Sequence, residues 1–223
     1  MAEILQKCPH CRHEEKIQAY PGINVSSNPE LKDKVKDGSL FLWKCSNCGA
    51  SNLAVYQSVY HDPSERLLVW LAPAESGGEA DSAASSIARQ LDTPEGRRIL
   101  DGYALRKVTK AGDLMEKVRI FDCGLDDVAM EMCKYVMRME MAEKESDRDK
   151  AAAILALDLK FVKTEGADND LIFTYPDNGS MTCIKAGFNV YEDCRGIVQR
   201  NPDIRPTPGF AIVDAQWLSS KIR

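Results

Sequence analysis

Two C-x-x-C pairs, Cys8-Pro9-His10-Cys11 and Cys45-Ser46-Asn47-Cys48, constrain this chain more than any other feature. The spacing lets two tight turns each present a pair of thiolates, and four thiolates complete the tetrahedral shell of one ion at Zn–S distances of about 2.3 Å. One structural Zn2+ held by Cys8, Cys11, Cys45 and Cys48 is therefore expected. Gly49 directly after the second pair suits a knuckle that needs positive φ. The 33 residues between the pairs (12–44) exceed the interval of a minimal ribbon, so an elaborated zinc-ribbon module is expected. With all four positions filled by protein, no place is left for water or substrate, and the ion's role is folding rather than hydrolysis. The competing reading is a pair of dithiol redox motifs. Those require a C-x-x-C that opens a helix after a strand, and Cys8 lies too near the start for that.

Within the module, Asn28-Pro29 reads as an N-cap followed by proline at the first helical position. Leu31 and Val35 share one face, Glu30 and Lys34 form an i,i+4 pair, and Gly38 is the stop. Strands are expected at 40–43 and 53–60, then a turn over His61-Asp62-Pro63-Ser64 and a strand at 67–71. The aromatic and β-branched runs around the proline turn predict an antiparallel hairpin.

Residues 74–86 are almost all small or acidic and carry little apolar surface, which predicts a flexible linker over 74–88. It would separate a metal module (1–73) from a helical plus α+β region (89–223). In that region a strand is expected at 103–108 and an amphipathic helix through Leu114, Val118 and Phe121, closed near Gly124. A longer helix should run from about 126 to 145 with Leu125, Val128, Met132, Val136 and Met139 on one stripe. Strands at 157–162, 171–175 and 181–186 follow, the last two joined through Asp177-Asn178-Gly179. Asn189 is expected to cap a helix to about 199, and Asp214 a terminal one containing Trp217 and Ile222. The fold class is α+β.

Chemistry is sparse elsewhere. The three histidines are His10, His13 and His61, so everything beyond 61 lacks the commonest general base. His10 and His13 flank a set already complete in thiolates and read as exposed or neighbouring imidazoles. His61 reads as a hydrogen-bonded turn residue. Cys123, Cys133, Cys183 and Cys194 match no knuckle spacing and read as buried free thiols. Asp122, Asp126, Asp127 and Glu131 could serve a carboxylate-based enzyme as ligands or bases, against the simpler reading of caps and solvated acids at a helix start. Met130, Met132, Met137, Met139 and Met141 read as packing residues rather than a soft binding surface.

Net charge is −5, from 29 Lys+Arg and 34 Asp+Glu, and no apolar run reaches the roughly 20 residues of a membrane span. A membrane protein and a basic nucleic-acid scavenger are thereby excluded. The start MAEILQKC carries no secretory pattern, which makes the cytoplasm the expected compartment. Lys32, Lys34 and Lys36 with Lys44 are the local basic cluster near the metal, interleaved with Asp33 and Asp37, so a nucleic-acid-binding ribbon ranks below a solvated helix face.

The first cysteine pair, the stretch 24–41 (NVSSNPELKDKVKDGSLF), Cys45 to Gly49 and Tyr60-His61-Asp62-Pro63 resemble the N-terminal module of bacterial and archaeal CpXC domain proteins. Residues 114–122, the following Gly124-Leu125-Asp126-Asp127 and the ending from Val213 to Trp217 are similar too, so the resemblance spans nearly the whole chain. Ser46 departs from the proline that the family name implies, which leaves the ligand set intact. The resemblance implies cysteine ligation and no particular activity. A zinc-stabilised binding or adaptor protein with a protein partner is the leading expectation. Nucleic-acid binding and carboxylate catalysis are the alternatives.

Overall fold

The computed structural model describes residues 1–73, 83–177 and 179–222. It is mixed α and β and separates into two compact units, 1–118 with 207–212, and 119–206 with 213–223. Among the described residues no helix is long and apolar enough to cross a membrane.

The first unit opens with a hairpin, β1 (Ala2–Lys7) and β2 (Glu14–Ala19), whose short alternating strands place Ile4 opposite Ile17. After β3 (Gly22–Asn24), helix α1 (Glu30–Lys36) buries Leu31 and Val35. Its cap differs from expectation. Pro29, expected at the first helical position, is itself the cap; Asn28 supplies its carbonyl to Leu31 N–H, and its side chain donates to the Ser27 carbonyl rather than capping the helix. Gly38 ends the helix as expected, at φ +80°, but it leads into a 3-10 turn over Ser39–Phe41 that replaces the first part of the strand expected at 40–43. Strand β4 (Leu42–Lys44) follows and pairs with β5 (Ser51–Leu53) in a second hairpin. The strand expected at 53–60 is thus two, because β5 stops at Leu53 and β6 (Ser58–Asp62) starts anew in another sheet.

That sheet has the order β3-β6-β7-β8, with β7 (Leu67–Leu71) antiparallel to β6 as the proline turn implied, and β8 (Ala104–Val108) parallel to β7. Asp62 makes the turn: its Oδ1 accepts from the N–H and hydroxyl of Ser64 at 3.1 and 2.6 Å. β7 is an unbroken apolar run because Leu67, Val69 and Leu71 bury on one face and Leu68 on the other.

Helices α2 (Ala83–Leu91) and α3 (Pro94–Ile99) lie between β7 and β8 in sequence. The expected linker therefore needs correction: 83–88 is helical, and 74–82 lie outside the described residues. The small side chains that read as linker are what allow close packing, since Ala84 and Ala88 are fully buried against Val59, Leu68 and Leu105. The boundary expected at 73 moves to within helix α4 (Ala111–Asp122), between Val118 and Arg119. The segment 207–212 also returns to this unit, where Ala211 bonds to Leu105 and Lys107 beside β8.

The second unit packs α5 (Asp127–Glu143), α6 (Arg148–Leu155), α7 (Phe188–Arg200) and α8 (Ala215–Lys221) with a three-stranded antiparallel sheet. Its strands are β9 (Lys160–Glu165), β10 (Asp170–Asp177) and β11 (Ser180–Ala186), in the order β11-β10-β9. Phe161 and Phe173, edge to face at 5.9 Å, anchor the core with Leu159, Leu171, Met130 and Met132. The first of these strands starts at 160 rather than 157, because Ala156 and Leu157 close α6 through bonds to Ala153 and Ile154. Asn178 of the expected turn lies outside the described residues, while Gly179 takes φ +80°. Asp126 and Asp214 cap α5 and α8 as expected, accepting from Ala129 N–H at 2.8 Å and Trp217 N–H at 2.7 Å. Asn189 does not cap α7; that position belongs to Gly187.

Candidate metal centre

The two C-x-x-C pairs occupy the turns of the β1–β2 and β4–β5 hairpins, and the two turns are built alike. In the first, Cys8 N–H donates to the His13 carbonyl and Arg12 N–H to the Cys8 carbonyl, both at 2.8 Å. In the second, Cys45 N–H donates to Ala50 and Gly49 N–H to Cys45, both at 2.9 Å. Residues of one turn map onto the other by adding 37, the separation of Cys8 and Cys45. Arg12 and Gly49 fall at the same place and both take positive φ, +62° and +72°. The expectation for Gly49 holds, and Arg12 adopts the same conformation without glycine's freedom.

These turns bring the four sulfurs within 4.8 Å of one another. Cys8 Sγ stands 3.7 Å from Cys48 Sγ, and Cys11 Sγ 3.6 Å from Cys45 Sγ. Disulfides would require about 2.05 Å. A tetrahedron with metal–sulfur bonds of about 2.3 Å has sulfur–sulfur edges of about 3.8 Å, which matches the observed pairs. Cys8 and Cys45 are buried, Cys11 is half-buried and Cys48 exposed.

Hydrogen bonds already favour thiolates on one side of the cluster. The Asn47 side chain, then the His13 N–H, hold Cys11 down to about 6. Burial opposes ionisation of Cys8, but donors from Cys11 and His10 with the Cys48 thiol outweigh it and lower its pKa. Cys48 goes the other way: the Ala50 N–H favours its thiolate, yet the Cys11 thiol, burial, Cys8 and Cys45 push it up to about 12. Four thiolates this close would repel one another, and a cation at the centre would remove that penalty, so metal binding there would release protons.

The surrounding contacts tie one hairpin to the other. Asn52, buried and absent from the sequence reading, donates from Nδ2 to Cys8 Sγ at 3.7 Å and to the Ala50 carbonyl at 3.1 Å. Glu15 Oε2 accepts from Ser46 N–H at 2.9 Å. The Gln6 amide bonds both the carbonyl and N–H of Val55, at 3.1 and 3.4 Å. His10 and His13 are exposed, and His13 Nε2 lies 3.5 Å from Ser46 Oγ.

The remaining candidates separate. His61 lies in β6 rather than the turn; its ring is 5.8 Å from that of Tyr103, and its buried Nε2 has no hydrogen-bond partner among the described residues. Burial lowers its pKa against the opposing charge of Asp62. Of the carboxylates, Asp126 is the α5 cap and Asp122 is exposed. Asp127 and Glu131 are buried rather than solvated, and Glu131 pairs with Lys134 at 2.5 Å. Among the described residues, the one group of three or more His, Cys, Asp or Glu side chains placed to hold a metal is the cysteine quartet, and these carboxylates form no such group.

Cys133 and Cys194 are buried as expected, but Cys123 and Cys183 are exposed. The Cys133 thiol on α5 donates to the Val190 carbonyl at 3.7 Å, and Cys194 faces it from α7. The contact with Cys194, then burial, pushes Cys133 up, and the same contact lowers Cys194. Met130, Met132 and Met137 are buried, as packing residues should be. Of the basic cluster, Lys32 is committed to Asp62 at 3.0 Å and Glu65 at 3.7 Å, and Lys36 to Asp33 at 3.8 Å.

Compared with known protein families, residues 6–134 match the family described as CpXC protein. No curated protein and no solved structure matches the chain.

Proposed function

The chain belongs to the CpXC protein family, and from that premise and its four-thiol cluster we propose that it is a zinc-stabilised binding or adaptor protein. Cys8, Cys11, Cys45 and Cys48 hold one structural Zn2+ in an elaborated zinc ribbon, and the protein acts by presenting surfaces to a protein partner in the cytoplasm. The observation that carries this reading is the approach of four sulfurs to within 4.8 Å across two hairpin turns. An all-thiolate tetrahedral donor set favours zinc and leaves no position for a reacting water. The ion supplies cross-linking of the two turns. The chain's own residues supply the sulfurs, their N–H donors and the frame around them.

Binding is supported by Leu42 and Leu53, opposite one another on the β4–β5 hairpin and 55% and 58% exposed. Paired exposed leucines on a hairpin held by a metal form a contact surface rather than a core. The pairing of Lys32 and Lys36 with carboxylates leaves the nucleic-acid alternative without comparable support.

Metal analysis of the purified chain should find one Zn2+, lost when all four cysteines are changed to serine. A partner retained by the wild-type chain should be lost from the Leu42→Asp, Leu53→Asp double variant with zinc content unchanged. Absence of stoichiometric metal would overturn the zinc reading, and equal retention by the double variant would overturn the surface.

A further inference from the structure

The two knuckles are near-copies, but the side chains that leave them are not, and the differences are complementary. Glu15 and Asn52 occupy equivalent places, each seven residues beyond the first cysteine of its pair. Each crosses to the opposite knuckle: the Glu15 carboxylate receives the Ser46 N–H at 2.9 Å, and the Asn52 amide donates to Cys8 Sγ at 3.7 Å. One is an acceptor for backbone, the other a donor for sulfur. A carboxylate could not take the place of Asn52, since beside Cys8 it would repel a thiolate. Asn52 is oriented by its second bond to the Ala50 carbonyl at 3.1 Å, so its donor is aimed before any ion arrives.

We infer that Glu15 and Asn52 are a reciprocal pair of positioning residues that hold the two knuckles in register for the metal, Asn52 also lowering the charge carried by Cys8 sulfur. The inference rests on the metal reading above. A donor to a ligating sulfur stabilises the thiolate and restrains its direction, and loss of such outer partners costs about 10–100-fold in metal affinity.

The test uses the full chain loaded with Zn2+ or Co2+, with affinity read by competition against a chromophoric chelator and the sulfur environment by the thiolate-to-Co2+ charge-transfer band. Asn52→Asp, nearly isosteric but without the donor, should lose about 10–100-fold in Zn2+ affinity and move the band to lower energy. Asn52→Ala should do so more weakly, and it serves if the aspartate variant does not fold. Glu15→Ala should weaken binding with the band unmoved, while Glu15→Gln, whose amide oxygen still accepts from Ser46, should restore affinity. Wild-type affinity in both Asn52→Ala and Glu15→Ala, or an unmoved band in both Asn52 variants, would overturn the pairing while leaving the metal site standing. A wild-type chain that binds neither ion would overturn the metal reading itself.

Discussion

Arg12 and Gly49 hold the same left-handed backbone position in successive knuckles, and only one is a residue that adopts it freely. A Cβ on Gly49 would meet nothing closer than Lys44 Cε at 3.9 Å, so substitution there is a purely conformational matter. Gly49→Ala should therefore cost about 1–2 kcal/mol, and Arg12→Gly should be neutral or slightly stabilising, measured by denaturant unfolding of the metal-loaded chain. Asp62 is the other residue on which local structure turns. Burial raises its pKa, but the Ser64 hydroxyl and Lys32, with the Glu65 N–H, prevail and hold the carboxyl below its usual value. A depressed folded-state pKa means that its stabilisation is complete above the ordinary carboxylate range near pH 4 and is lost as pH falls through the depressed value. Asp62→Asn should lower stability by about 3 kcal/mol at neutral pH, with the gap to wild type closing on acidification below about pH 4. A gap that is constant with pH would mean that the charge is not what matters.

At the level of elements, α2 shows why composition misleads. A run of alanine and serine carries too little apolar surface to look structured, yet Ala84 and Ala88, one turn apart, are fully buried because small side chains let the helix backbone approach the sheet. Ala88→Leu should force the helix away and cost about 1–3 kcal/mol, seen as a lowered denaturant midpoint. On a flexible linker it would cost nothing. Elements announced by side chains that bond their own backbone are legible from sequence: Asp126 and Asp214 cap the helices expected of them, and Gly38 and Gly124 stop theirs. The β1–β2 hairpin went unread because its alternation is short and its turn is occupied by the first knuckle. The helix before β4 starts one residue later than Asn28-Pro29 implies, because Pro29 itself takes the cap position and the Asn28 side chain bonds the Ser27 carbonyl instead of a helix N–H.

For the whole molecule, two units with separate cores imply that a metal held by the cysteine quartet would stabilise one of them directly. Chelation should raise amide exchange across the β1–β2 and β4–β5 hairpins while protection of Phe161, Leu171 and Phe173 in the second unit stays within error. Loss of protection in both would mean that the units unfold together. The two C-x-x-C knuckles and the α+β class were legible in the order of residues because turn geometry, caps and thiol spacing act over a few neighbours, where the chain's own connectivity sets the distances, and the second knuckle was joined to the first by the chemistry of a four-thiolate shell. The meeting of Cys133 with Cys194, the exchange of Glu15 and Asn52 between knuckles and the return of 207–212 to the first unit join residues far apart along the chain. No local pattern encodes such pairs, because their distances are set by how sheets and helices pack once formed.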